Sequence, residues 1–321
     1  MLAFYRNSEG CMETIEINNF TQLTCGENPL QAAYISKIEG CIEYDIISRN
    51  KDLEYIDYLN LSEAVKILGE FFDVNCAVVS NNAQICSVAL GSSSDEAFAK
   101  ALDCDPVSIY EGTVGLSKEV TLENAKQFML MRIKNVIAPS YSKEAFSFLL
   151  ETPVNMVVVK TPLHELQGFE KKDIKVTPLG ILVQEQNISK LSKDTFRVVS
   201  QIKPTQGQVE DAVFAWKISK HLKSASAVIA KDLATRGIAQ GKSSSIFAAE
   251  DVMNYACEYS KDAVLVLDGV IDNIEIINTA IQGRIGLIID AGDSKNSSAI
   301  LKYADKYGIS VIFTNYRNNR F

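Results

Sequence analysis

Laid over itself at an offset of 150 residues, the chain repeats, and that repeat limits what it can fold into. Ala77-Val78-Val79 falls on Ala227-Val228-Ile229, and Ser87 through Ser94 falls without a gap on Gly237 through Ser244. Upstream, Ala64, Val65, Leu68 and Phe72 fall on Phe214, Ala215, Ile218 and Leu222. Their i, i+1, i+4, i+8 spacing is that of an apolar helix face. Each copy therefore reads helix, strand, turn, strand, glycine-serine stop, helix. The serines suit helix N-caps, and Asp95-Glu96 suits the positive end of a helix dipole. Further strands are predicted over Pro106–Tyr110 in the first copy and Ala263–Leu267 in the second. Val136-Ile137-Ala138 and Leu287-Ile288-Ile289 come next, each followed by a helix-like stretch and a last strand, Met156–Val159 or Ser310–Phe313. Short unbroken Val/Ile runs predict strands covered on both faces. The period is too long for a solenoid. It predicts an α/β protein of two similar units, residues 1–165 and 166–321, with mixed sheets covered by helices and a connector across Thr161–Pro178.

Composition narrows the chemistry. With 32 basic and 40 acidic residues the net charge is −8, which argues against broad binding to nucleic acid or anionic membranes. No apolar run reaches the ~18–20 residues of a membrane span, and the first residues lack a secretory pattern, so a cytoplasmic location is expected. None of the seven cysteines forms a C-x-x-C pair, and free thiols are expected. There are two histidines, His164 and His221. A zinc-deaminase ligand set needs H/C-x-E and P-C-x-x-C, both missing, so no metal is expected.

Two motifs invite opposed readings. Gly237-x-x-x-Gly241-Lys242-Ser243 falls one residue short of a phosphate loop. It is either a glycine turn feeding a capped helix, or a place where backbone N–H groups and Lys242 hold an anion. Lys217-x-x-Lys220-His221-x-Lys223-Ser224 is a dense basic cluster. It is either charge complementing a helix C-terminus or a clamp for a phosphate or carboxylate. Trp216 reads as core, Gly26-Glu27-Asn28-Pro29 as a turn, and Asp105-Pro106 as a turn entering a strand.

Phe214-Ala215-Trp216-Lys217-x-x-Lys220-His221-x-Lys223-Ser224, followed by Ala230-Lys231-Asp232, resembles the transformylase region of the AICAR transformylase/IMP cyclohydrolase family. Gly26-Glu27-Asn28-Pro29-x-Gln31, Cys86-x-Val88-Ala89, Asp105-Pro106-x-Ser108, Val136-Ile137-Ala138-Pro139, Gly180-x-Leu182-Val183-Gln184 and Phe313-Thr314-x-x-Arg317 are similar in the same order. The similarity runs from about Thr24 to Phe321; the family's cyclohydrolase domain is expected to be absent. The resemblance implies duplicated cytidine-deaminase-like three-layer units without zinc. It also implies transfer of a formyl group from 10-formyltetrahydrofolate to the amine of AICAR, a purine-precursor nucleotide, in a homodimer with sites across the subunit interface. Substrate-binding residues implied in this way are Gly26, Glu27, Asn28, Lys220, His221, Lys223, Ser224, Gly241, Lys242, Asp268 and Arg317.

The departures fall on chemistry. The family's Lys-His pair, which carries much of the proton transfer, lies over Asn81-Asn82, and an amide does not titrate near neutral pH. The Arg-Tyr before Gly26 is Thr24-Cys25, and both histidines near the C-terminus are lost. Two expectations follow. One is formyl transfer to AICAR or a related amine, with a replacement base among Lys231, Asp232, His221 and Lys223. The other is a non-catalytic paralogue that binds a purine nucleotide or a protein partner.

Overall fold

The computed structural model describes residues 2–6, 12–16, 19–37, 41–47, 52–151, 156–163, 172–191 and 195–321. The unbroken apolar runs become strands buried on both faces, because helices cover both sides of the sheet they form. Twelve strands make that sheet: β1 (Asp45–Ile46), β2 (Asn75–Asn81), β3 (Gln84–Gly91), β4 (Thr113–Leu116), β5 (Asn135–Ala138), β6 (Val157–Lys160), β7 (Arg197–Val198), β8 (Ala227–Lys231), β9 (Ala234–Ala239), β10 (Val264–Leu267), β11 (Leu287–Asp290) and β12 (Ser310–Phe313). Their spatial order is β7-β12-β11-β10-β8-β9-β3-β2-β4-β5-β6-β1. Outward from the β9–β3 junction, the two arms have the same order. In each, the last three long strands are parallel and a short antiparallel strand closes the edge.

The described helices are α1 (Tyr55–Glu70), α2 (Ser94–Cys104), α3 (Leu122–Leu130), α4 (Lys143–Glu151), α5 (Gln206–Ser219), α6 (Ser245–Ala256), α7 (Ile274–Gln282) and α8 (Ser297–Lys306). Alternate strand residues sort them onto two faces. Val78, Val264 and Val266 pack with α1 and α5 in one apolar core that runs through both arms, where the rings of Phe71 and Phe214 sit 5.5 Å apart. Ala77 and Val79 pack with α2, α3 and α4, and Leu265 and Leu267 with α6, α7 and α8. Trp216 is buried in the shared core, as its sequence context predicts.

The arms join where β3 and β9 run antiparallel, with Ala234 opposite Ala89. The Thr235 hydroxyl accepts from Val88 N–H (3.0 Å) and donates to Val88 O (3.2 Å), and Gln240 Nε2 donates to Ile85 O (3.0 Å).

Several expectations need correction. Pro106–Tyr110 is not a strand: the Asp105 carboxylate accepts from the N–H groups of Val107 (3.2 Å) and Ser108 (2.9 Å), curling the chain into turns. The strand lies further on, at β4. The expected connector contributes a strand, since Lys172–Thr177 pairs with Gly180–Glu185 in a separate hairpin. His164 and Cys11 lie outside the described residues. The six described cysteines are free, and burial pushes the Cys86 thiol up to about 12, so it is no ready nucleophile. No described helix is long and apolar enough to cross a membrane.

Candidate functional site

The site begins at the end of α5, where the basic cluster meets the end of α1. Lys217 Nζ donates to the Glu70 carbonyl (3.0 Å), capping an orphan carbonyl of α1, and lies over the Phe71 ring. Lys220 Nζ and His221 Nε2 both reach Glu70 Oε1, the histidine at 3.0 Å. The cluster is thus a carboxylate clamp, and the carboxylate is the chain's own. It also complements a helix C-terminus, that of α1. Burial alone would raise Glu70; the hydrogen bonds and charges of His221 and Lys220 outweigh it and hold the carboxyl at about 2. For His221, burial pulls the imidazole below its usual range, Lys220 and Lys66 add to this, and Glu70 opposes it. Glu70, held low, therefore stays anionic at neutral pH, and the imidazole beside it, pulled below its usual range, is neutral.

Lys220 and His221 line one end of a cavity of about 430 Å³, a size that suits a small ligand. Lys66, Lys220, His221 and Arg320 line the polar end; Tyr44, Tyr58, Leu61 and Val159 line the apolar part. Asp173 and Gln184 of the separate hairpin, joined by a 2.8 Å hydrogen bond, sit at its wall. Arg320 grips Glu63 through two 3.0 Å bonds, and Lys66 reaches the same carboxylate at 2.7 Å. Burial opposes ionisation of Glu63, yet these cations keep it below the usual carboxylate range. The Arg320 guanidinium also donates to the His221 carbonyl. Among the described residues, no group of three or more His, Cys, Asp or Glu could hold a metal.

Around this end the chain returns repeatedly. Ser224 N–H donates to Arg320 O (2.8 Å), while the Ser224 hydroxyl accepts from Arg320 N–H (2.9 Å). Gly241 N–H donates to Lys223 O (2.8 Å), and Lys242 exchanges backbone hydrogen bonds with Ala225. Asp268 N–H donates to Ser226 O (3.3 Å), and its carbonyl accepts from Asn318 N–H (2.7 Å). Lys220, His221, Lys223, Ser224, Gly241, Lys242 and Asp268 therefore come together in one loop cluster. Asp268 Oδ2 and Ser226 Oγ are buried there without a hydrogen-bond partner.

Other expected residues fall elsewhere. Asn81 and Asn82 lie in the β2–β3 turn, at the end of the strands near Gln240; neither lines the cavity. The Asn81 amide donates to Ser108 O (3.1 Å) and its Oδ1 accepts from Asn82 N–H (2.9 Å). Lys231 and Asp232 lie at the far end of β8, roughly 15 Å from Ser226 by strand rise. Lys231 Nζ donates to Lys261 O (2.8 Å). Gly26, Glu27 and Asn28 form the exposed tip of a small hairpin, where the Gln31 side chain accepts from Asn28 N–H (2.9 Å). Arg317 pairs with Asp293 on the surface. The phosphate-loop reading gives way to the glycine turn: the N–H groups of Gly241 and Lys242 are used by Lys223 and Ala225, Lys242 Nζ pairs with Asp251 (2.7 Å), and Ser244 caps α6.

Glu63, Lys66 and Glu70 were not expected from sequence. Their i, i+3, i+7 spacing marks one face of α1, a signal that shows only once the basic cluster is known to lie opposite.

An α/β protein with a loop cluster and a basic-ended cavity above one sheet face is thus defined. The chain belongs to the AICARFT/IMPCHase bienzyme family, whose model matches residues 3–254. It is 34% identical over 298 residues to the bifunctional purine biosynthesis protein PurH of Thermoanaerobacter sp. (strain X514), covering 91% of this chain and 57% of that protein. The PurH of Caldicellulosiruptor saccharolyticus is 33% identical over 317 residues (96% of this chain, 60% of the relative), and that of Persephonella marina 32% over 309 (92% and 58%). The chain thus spans 57 to 60% of the length of these relatives.

Proposed function

We propose that this chain acts in purine nucleotide biosynthesis as a formyltransferase, moving a formyl group from 10-formyltetrahydrofolate to the amine of AICAR or a related purine-precursor nucleotide. We further infer that residues 1–165 and 166–321 are copies of one cytidine-deaminase-like unit, with the shared strand order of the two arms in support. Family membership supplies the reaction class. The structural observation that carries it is the convergence of seven family-implied residues, from Lys220 to Asp268, on one loop cluster at the basic end of a cavity.

The residues fit the reactants chemically. Lys66, Lys220 and Arg320 offer charge-assisted donors to a phosphate, and the wall around Tyr44 and Tyr58 accepts an aromatic base. The unpartnered oxygens of Asp268 and Ser226 suit a polar ring of the formyl donor, which supplies an activated formyl carbon. A homodimer that completes the site is part of this reading, as is a cytoplasmic location.

Purified protein mixed with AICAR and 10-formyltetrahydrofolate should release tetrahydrofolate. A variant carrying Asn81→Ala and Asn82→Ala should lose stability, since these side chains hold a turn, but keep wild-type turnover, since neither lines the cavity. Absence of turnover would defeat the proposal, and AICAR binding in a calorimeter without turnover would identify a non-catalytic paralogue. Sedimentation as a monomer at assay concentration would remove the dimer.

A further inference from the structure

We propose that His221, oriented by Glu70, takes the proton from the attacking amine in the cavity. The inference rests on the formyl-transfer reading and supplies the group that reading lacks. The amine must lose a proton as it bonds to the formyl carbon, and the donor nitrogen must gain one as it leaves. Asn81 and Asn82 can do neither.

Geometry selects among the titratable groups near the motifs. Lys231, at the far end of β8, is bonded to Lys261 O. Asp232 is exposed in a hairpin turn, and the Lys223 side chain is exposed. Of these, His221 alone lines the cavity. Its Nε2 lies 3.0 Å from Glu70 Oε1, and a carboxylate only accepts, so Nε2 carries the hydrogen. That tautomer presents the Nδ1 lone pair as the base. Lys220 shares the same carboxylate oxygen and keeps it ionised, which fixes the tautomer through the cycle.

The charges facing His221 set its readiness. Glu70 and Lys66 come from α1, Lys220 from the end of α5, and Arg320, which holds Glu63, from the C-terminal segment; Lys37 and Asp173 line the same cavity. Burial, Lys66 and Lys220 favour the neutral ring in the resting site; Glu70 stabilises the imidazolium once formed. His221 Nδ1 accepts the amine proton while the nitrogen–formyl carbon bond forms. The bond from that carbon to the donor nitrogen then breaks, and the imidazolium returns the proton to that nitrogen. Atoms and charge balance, and His221 ends neutral.

The test is turnover of AICAR with 10-formyltetrahydrofolate as a function of pH. His221→Gln, with an unchanged circular dichroism spectrum and unchanged calorimetric AICAR affinity, should lose on the order of 10²–10⁴ in kcat. The acid limb of the wild-type profile should vanish with it. Imidazole added to His221→Ala should restore part of the rate. Glu70→Gln should keep an acid limb but move it to lower pH, because the imidazolium loses its anionic partner. A His221→Gln enzyme with wild-type kcat and an intact acid limb would overturn the assignment while leaving formyl transfer standing. An inactive wild type would overturn both.

Discussion

Asn82 and Asp232 hold the same position in two hairpin turns 150 residues apart, with φ of 51° and 58°. Each is followed by a second residue at positive φ, Ala83 at 55° and Leu233 at 55°, which makes both turns the type whose twist matches paired strands. Each turn is gripped from the helix above it. Asn60 Oδ1 accepts from Ala83 N–H at 2.7 Å, and Asp211 Oδ1 accepts from Leu233 N–H at 2.7 Å. Both hairpins also carry an irregularity at the same place, between Val79 and Ser80 and between Ile229 and Ala230.

Ala83→Gly should stabilise the protein by about 1 kcal/mol, because glycine avoids the left-handed penalty of a Cβ at this φ. Urea unfolding would measure it. Leu233→Gly should not gain in the same way, since Leu233 packs against the shared core.

Glu70 should dominate acid sensitivity near α1. Its folded value, about 2 against an ordinary 4.5, means a stabilisation of about 3 kcal/mol, fully present above the unfolded value and lost as pH falls towards 2. Glu70→Gln should flatten the fall in urea midpoint between about pH 5 and pH 2. It should also lower stability at neutral pH by about 3 kcal/mol, because the Lys220 side chain, 6% exposed, is left buried without its carboxylate.

Arg320→Lys should not preserve the C-terminal tie. A lysine cannot make two parallel bonds to Glu63 and a third to His221 O, so a loss of about 1–2 kcal/mol is expected. Hydrogen exchange at the Ser224 amide, which donates to Arg320 O, should speed up.

Gly237 is a packing residue and does not belong to a phosphate loop. A Cβ there would come within 2.7 Å of the Val252 carbonyl oxygen on α6. Gly237→Ala should therefore cost about 1–3 kcal/mol in thermal unfolding. Lys242→Ala, which removes a surface pair with Asp251, should leave stability within about 0.5 kcal/mol.

What could be read from sequence was what is local. β10, β11 and β12 were legible because Val264–Leu267, Leu287–Asp290 and Ser310–Phe313 are short runs whose burial follows from composition. β4 was not, because Gly115 weakens its pattern and is there for contact: a Cβ would lie 2.8 Å from Leu68. The neighbouring Val107-Ser108-Ile109-Tyr110 imitates a strand, yet Val107 is 80% exposed and held in a turn by Asp105. The basic cluster was visible, open to two readings, but its partner Glu70 lies 151 residues away and Glu63 lies 257 from Arg320. No periodicity reports contacts at that separation.

The β3–β9 seam has a consequence for anyone who divides the chain. A fragment ending before the second arm would leave Ala89 and its neighbours as a bare strand edge, and the complementary fragment would bare Ala234. Each fragment would also uncover its half of the core that Phe71 and Phe214 join. Expressed apart, such pieces should be sticky and prone to self-association; expressed together, they should find each other and restore the sheet.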